Sequence, residues 1–147
     1  MTDNELTHAI IGAAIEIHRE LGPGLLETVY EECLVRELML RGISFERQRG
    51  VPLVYKGLEL ECGYRLDLLV AGRIVVEIKA VEALAPIHEA IMLTYLRLSG
   101  CHLGLLINFH TPILKDGIRR FVWHYQPKEE SKDNAKTQSS QRNAENA

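Results

Sequence analysis

No two of the three cysteines, Cys33, Cys62 and Cys101, stand at Cys-x-x-Cys spacing, so the chain encodes neither a zinc knuckle nor a disulfide framework. Reduced, buried thiols are expected instead. Apolar runs of membrane-spanning length are missing, and residues 1–20 carry no basic-then-apolar leader, so the chain reads as soluble and cytoplasmic, with no membrane partner. There is no Gly-rich phosphate loop, no internal repeat, and no Ser/His/Asp or Cys/His arrangement that spacing alone would support. Positive charge is also short. With 17 Lys and Arg against 20 Asp and Glu, a net charge of -3 lacks the broad footprint of a non-specific DNA binder. A nuclease is still compatible with this balance, since local Lys and Arg can hold a phosphate backbone beside an acidic site.

What is present is organised about residues 64–81, two apolar runs on either side of Ala71-Gly72-Arg73. Tyr64, Leu66, Leu68 and Val70 alternate with Arg65, Asp67 and Leu69, and Ile74, Val76, Ile78 and Ala80 alternate with Val75, Glu77 and Lys79. That period of two predicts a β-hairpin with one wholly apolar face. Antiparallel partners share a face, so the register pairs Val70 with Ile74, which sets Asp67 opposite Glu77 and Arg65 opposite Lys79. Two facing carboxylates repel unless something positive sits between them, and a divalent cation is the simplest candidate. Mg²⁺ (or Mn²⁺) suits two carboxylates completed by a carbonyl and waters, which makes Asp67 and Glu77 the expected metal ligands. A Glu-x-Lys on a strand is ordinarily a solvated face. The matched Asp67 sets this one apart, together with Leu69 and Val75, which imply that the face is covered.

A chain of 147 residues, 46% of them hydrophobic, supports one domain, here residues 1–125. Residues 3–21 form the first expected helix, with Asp3 or Asn4 as N-cap and a stripe of Ile10, Ile11, Ala14, Ile15, His18 and Leu21. Gly22-Pro23-Gly24 ends it. A second helix over 25–40 is expected to bury Leu26, Val29, Tyr30, Cys33, Leu34 and Leu38. Glu27, in its first turn, suits the helix dipole. Residues 43–55 are strand-like but interrupted by Gly50 and Pro52, and a strand resuming near Leu58 runs into the hairpin, with Gly63 a candidate bulge. Pro86 opens a third helix to Ser99, with His88, Met92 and Tyr95 on one face and Ile87, Ala90, Ile91, Thr94 and Leu98 on another. Leu103 to Phe109 reads as a strand buried on both faces, and a turn and last strand follow within 115–125. Residues 126–147 hold almost nothing apolar, and their four basic and four acidic side chains cancel, the signature of a disordered tail. Helices and strands in this order give an α/β sheet flanked by helices.

In this order the residues resemble a known family. Gly24-Leu-Leu-Glu27-Thr-Val-Tyr30 fits the pattern that names the GxxExxY proteins. Asp67, Glu77-Ile-Lys79, His88-Glu89-Ala90 and Leu105-Leu-Ile-Asn-Phe109 follow as expected of that family, and the similarity runs from residue 8 to residue 124. The family is placed in the PD-(D/E)XK nuclease-like superfamily. The resemblance therefore implies a restriction-endonuclease-like core and Mg²⁺-dependent hydrolysis of phosphodiester bonds in DNA or RNA, with nucleic acid as the partner. It makes Asp67 and Glu77 the metal ligands and Lys79 the residue that steadies the attacking water or the scissile phosphate. Glu27 becomes a helix-borne acid of the same site, with His88 and Tyr95 facing the cleft as substrate-binding residues.

One departure stands out: related nucleases often carry Gln four residues before a Tyr on the third helix, and here Ile91 precedes Tyr95 at that spacing. Two function classes follow. Asp67, Glu77 and Lys79 together favour a metal-dependent nuclease. Ile91 and the low positive charge favour a catalytically silent module that keeps the nuclease fold to bind nucleic acid or a protein. DNA against RNA, internal against terminal cleavage, and oligomeric state are not written in the sequence.

Overall fold

The computed structural model describes residues 1–61 and 63–124. The expected tail from Gln126 and the thiol of Cys62 lie outside those residues. Helix α1 (Asp3–Leu21) is opened by a capping box: the Thr2 hydroxyl accepts from the Glu5 N–H at 3.1 Å, and the Glu5 carboxylate accepts from the Thr2 N–H at 2.9 Å. The cap is thus one residue before the expected Asp3. Helix α2 (Glu27–Leu40) packs beside it, and helix α3 (Pro86–Ser99) is closed by Gly100 in a left-handed conformation.

Strands β1 (Phe45–Gly50), β4 (Arg65–Val70), β5 (Ile74–Lys79), β6 (Leu103–Asn108) and β7 (Ile118–Val122) form one sheet in the order β1-β4-β5-β6-β7. The β5–β6 pair is parallel and the other three are antiparallel. The parallel pair needs a crossover, and α3 supplies it. The expected mixed sheet flanked by helices is therefore the architecture found.

Between β1 and β4 the chain makes a separate two-stranded ribbon, β2 (Leu53–Tyr55) with β3 (Leu58–Leu60). The expectation that the strand from Leu58 continues into the hairpin is corrected by this. Gly63, at φ +79°, bends the chain out of one sheet and into the other.

The two sheet faces have separate cores. Leu68, Val70, Ile74, Val76, Ile78, Leu105 and Ile107 pack with Leu6, Ile10, Ala14, Tyr30, Leu34 and Leu38 of α1 and α2. Leu69, Val75 and Leu106 pack under Met92 and Leu96 of α3, so the face of Leu69 and Val75 is covered as expected. Gly104 makes that cover possible, because a Cβ there would lie 2.6 Å from the Met92 sulfur. Two burial expectations fail on α2: Leu26 is 71% exposed and Val29 37%, since the sheet end beneath them stops at Lys79. Of the stripe expected on α1, Leu21 is likewise exposed. Cys101 is buried and Cys33 is half-buried; both are free thiols.

Candidate active site

The hairpin register is the expected one, with Val70 opposite Ile74, Leu69 opposite Val75 and Leu68 opposite Val76. The ladder then stops, one step short of Asp67 and Glu77. Their side chains take over from the missing backbone bonds: the Asp67 N–H donates to Glu77 Oε2 at 2.8 Å, and the Ile78 N–H donates to Asp67 Oδ2 at 2.8 Å. Each carboxylate thus satisfies the partner strand's amide, and the strands part around them. Two expectations are corrected here. Arg65 and Lys79 are not a ladder pair, and Leu66 packs with Leu69 and Val75 rather than with Leu68.

Electrostatics follow from this placement. Burial first, and the Asp67 carboxylate second, push the Glu77 carboxyl up to about 8, although the Asp67 amide and Lys79 pull the other way. Burial also raises Asp67, against the Ile78 N–H that favours its charged form. The pair is thus short of compensating positive charge, and Glu77 is shifted toward its protonated form. Lys79, half-buried at the end of β5, favours the charged form of both carboxylates. The Tyr95 hydroxyl of α3 is raised by burial first and by the charges of Glu77 and Asp67 next.

The second helix reaches this site through the Gly24–Tyr30 motif. Tyr30 is fully buried, stacks on Phe109 with centroids 4.3 Å apart, and ties down the loop that precedes α2: its hydroxyl donates to the Gly22 carbonyl and accepts from the Leu25 N–H. Gly24 takes φ +102° in that loop, where a side chain would be strained. Glu27, exposed in the first turn, accepts from the Ala80 N–H at 3.2 Å, immediately beyond Lys79. Asn108, opposite Lys79 on β6, clamps Val81 from the other side by accepting from its N–H and donating to its carbonyl. The main chain around Lys79 is therefore held by α2 and β6 together.

His88 lies at the start of α3, where its Nδ1 accepts from the Ala85 N–H at 2.8 Å. That bond caps the helix and occupies one ring nitrogen. Ile91 is 37% exposed and Ile87 60%, so this face of α3 points away from the core.

Two residues escape the sequence reading. Glu31 is 8% exposed, and its charge acts on both Asp67 and Glu77. Its spacing of four from Glu27 puts the two on one helix face, a signal present in the sequence. Gln48 donates to Glu31 at 3.2 Å and to Asp67 Oδ1 at 3.4 Å, and nothing in its sequence context marks it.

The donor set suits a hard divalent cation: two carboxylate residues, one of them raised toward its protonated form by burial and by the other. Among the described residues no three Asp, Glu, His or Cys side chains converge on one point as a metal cage.

A sequence profile of the PD-(D/E)XK nuclease superfamily matches residues 4–121, and the chain belongs to that superfamily. No curated protein and no solved structure gave a significant match.

Proposed function

We propose that the protein is a metal-dependent nuclease of the GxxExxY type that hydrolyses phosphodiester bonds in DNA or RNA. The observation that carries this reading is the parting of β4 and β5 at Asp67 and Glu77, which sets a buried and a half-buried carboxylate beside Lys79 at one end of the sheet. Superfamily membership supports a nuclease and, with it, divalent-metal use. In this reading residues 1–125 form the working domain. The isolated cysteines fit a cytoplasmic setting, and no helix among the described residues is long and apolar enough to cross a membrane.

Asp67 and Glu77 would hold the cation. When bound, it supplies Lewis-acid chemistry, lowering the pKa of water and offsetting charge on the phosphate. Lys79 contributes a fixed positive charge beside the scissile phosphate, held in place by the Ala80 and Val81 main-chain bonds. Glu27 reinforces that hold from α2. Tyr95 of α3, within electrostatic range of both carboxylates, would line the substrate side of the site. His88 retains Nε2 for substrate, since Nδ1 is bonded to Ala85.

Cleavage of single- and double-stranded DNA and RNA with Mn²⁺ or Mg²⁺, against a chelator control, tests this directly. Lys79→Ala is expected to keep the melting temperature and the metal response but to lose about 10²–10³-fold in turnover, the scale for removing one preorganised charge contact. Metal binding without cleavage of any of these substrates would instead favour the silent binding module, for which the exposed Ile87 and Ile91 face of α3 speaks.

A further inference from the structure

One residue of β1 breaks the conformation of its strand. Gln48 has φ +49° between ladder-paired neighbours: Arg47 faces Leu68 and Arg49 faces Leu66, but the pair between them, Gln48 with Asp67, is absent from the ladder. A left-handed glutamine inside a strand is costly, and such strain persists where the surroundings impose it. Here the turn swings the side-chain amide onto two carboxylates at once. It lies 3.2 and 3.3 Å from the two oxygens of Glu31 and 3.4 Å from Asp67 Oδ1. Both partners are acceptors, so only the amide NH₂ can face them, and the orientation of this Gln is fixed by chemistry.

We propose that Gln48 is a positioning residue for Asp67, set in its strained conformation so that a neutral double donor fixes the carboxylate a metal ion would bind. The inference rests on the metal-dependent reading above. With Oδ2 on the Ile78 N–H and Oδ1 on Gln48, the Asp67 carboxylate is held at both oxygens. Glu31 is the anchor of the device. Arg47 Nε donates to it at 3.1 Å, while the other arm of Arg47 binds Glu32 at 3.0 Å, so Glu31 is fixed before Gln48 reaches it. A neutral amide suits this task better than a cation. Lys or Arg at the same place would offset the charge that draws the metal, and an aliphatic side chain would leave buried Glu31 short of a donor. The arrangement is that of an outer-shell partner, whose loss ordinarily costs about 10–100-fold in metal affinity.

The test is thermal melting of the wild type, Gln48→Gly and Gln48→Asn, each without metal and across a Mn²⁺ titration. Glycine relieves the left-handed strain and removes the amide. Strain relief and the lost donor to Glu31 oppose each other in the metal-free melting temperature, so the readout is the Mn²⁺ concentration for half-maximal stabilisation, which should rise about tenfold or more. Asparagine tolerates the same backbone but stops one methylene short, and should show the same rise. A merely structural glutamine leaves the Mn²⁺ midpoint unchanged in both variants, whatever the metal-free stability. That result, or loss of a cooperative melt in both variants, would overturn the inference. A wild type that itself ignores Mn²⁺ would remove the metal reading and this inference with it; a responsive wild type with unmoved variants removes this inference alone.

Discussion

At the residue scale, the raised Glu77 carboxyl has a measurable consequence. Burial and Asp67 push it up to about 8, against 4.5 for an ordinary glutamate. An acid raised on folding binds more protons in the native than in the unfolded state, so its contribution to stability is fully present below about pH 4.5 and is lost as pH rises through about 8. The metal-free protein should therefore lose stability across that window, by an amount on the order of a few kcal/mol. Asp67, also raised, adds in the same direction. In Glu77→Gln, which carries no titrating group there, the decline should be much shallower. Denaturant melts of both proteins from about pH 5 to about pH 8 check it; parallel curves for the two would mean that Glu77 carries no such proton.

Asp67, Glu77 and Lys79 could be picked from the sequence because a period of two and a register argument reach across one turn. Glu31 and Gln48 could not be picked in the same way. Glu31 looks like one more surface acid on a helix with many, and its burial follows only from how α2 lies across the sheet end. Gln48 depends on a backbone torsion, which no residue pattern in β1 announces.

At the element scale, the Gly24–Tyr30 motif joins the loop before α2 to the end of β5. Gly24 permits the turn, Tyr30 bonds Gly22 and Leu25 and stacks on Phe109, and Glu27 then arrives at the Ala80 amide. The motif acts first on geometry, and its one acid touches the site through the main chain. Tyr30→Phe keeps the stacked ring but removes the hydroxyl from two backbone groups. A loss of about 1–3 kcal/mol is expected in denaturant unfolding, together with weaker activity through a looser Glu27. An unchanged midpoint would show that the hydroxyl contacts are dispensable.

The long elements were legible because their periodicity is strong. Pro86 and Gly100 bound α3 as their backbone chemistry dictates, and the apolar run at Leu103 forms the central strand β6. The ribbon of β2 and β3 was not legible as a separate unit. Gly50, Pro52 and Gly63 signal interruptions, and a break within a strand looks the same in sequence as a departure into another sheet.

On the scale of the whole molecule, several of the basic side chains are engaged by acids. Arg47 pairs with Glu31 and Glu32, Arg49 with Glu46, Arg73 with Asp3, and Arg41 with Glu16 and Glu37. Most of these pairs are exposed and add little to stability. At the end of the sheet the buried Glu77 and half-buried Asp67 lie side by side, with Lys79 favouring their ionised forms.

If the proposed cation site is built on Asp67 and Glu77, a cation there would oppose the effect that raises Glu77, so its binding should release a proton. Calorimetric titration of the metal-free protein with Mn²⁺, repeated in buffers of different ionisation enthalpy, measures both at once. At about pH 6 the fold predicts release of about one proton per ion bound, falling toward none above about pH 9, with affinity rising between the two. Absence of binding at millimolar Mn²⁺, or binding with no proton released at the lower pH, would contradict a metal centre built on Asp67 and Glu77.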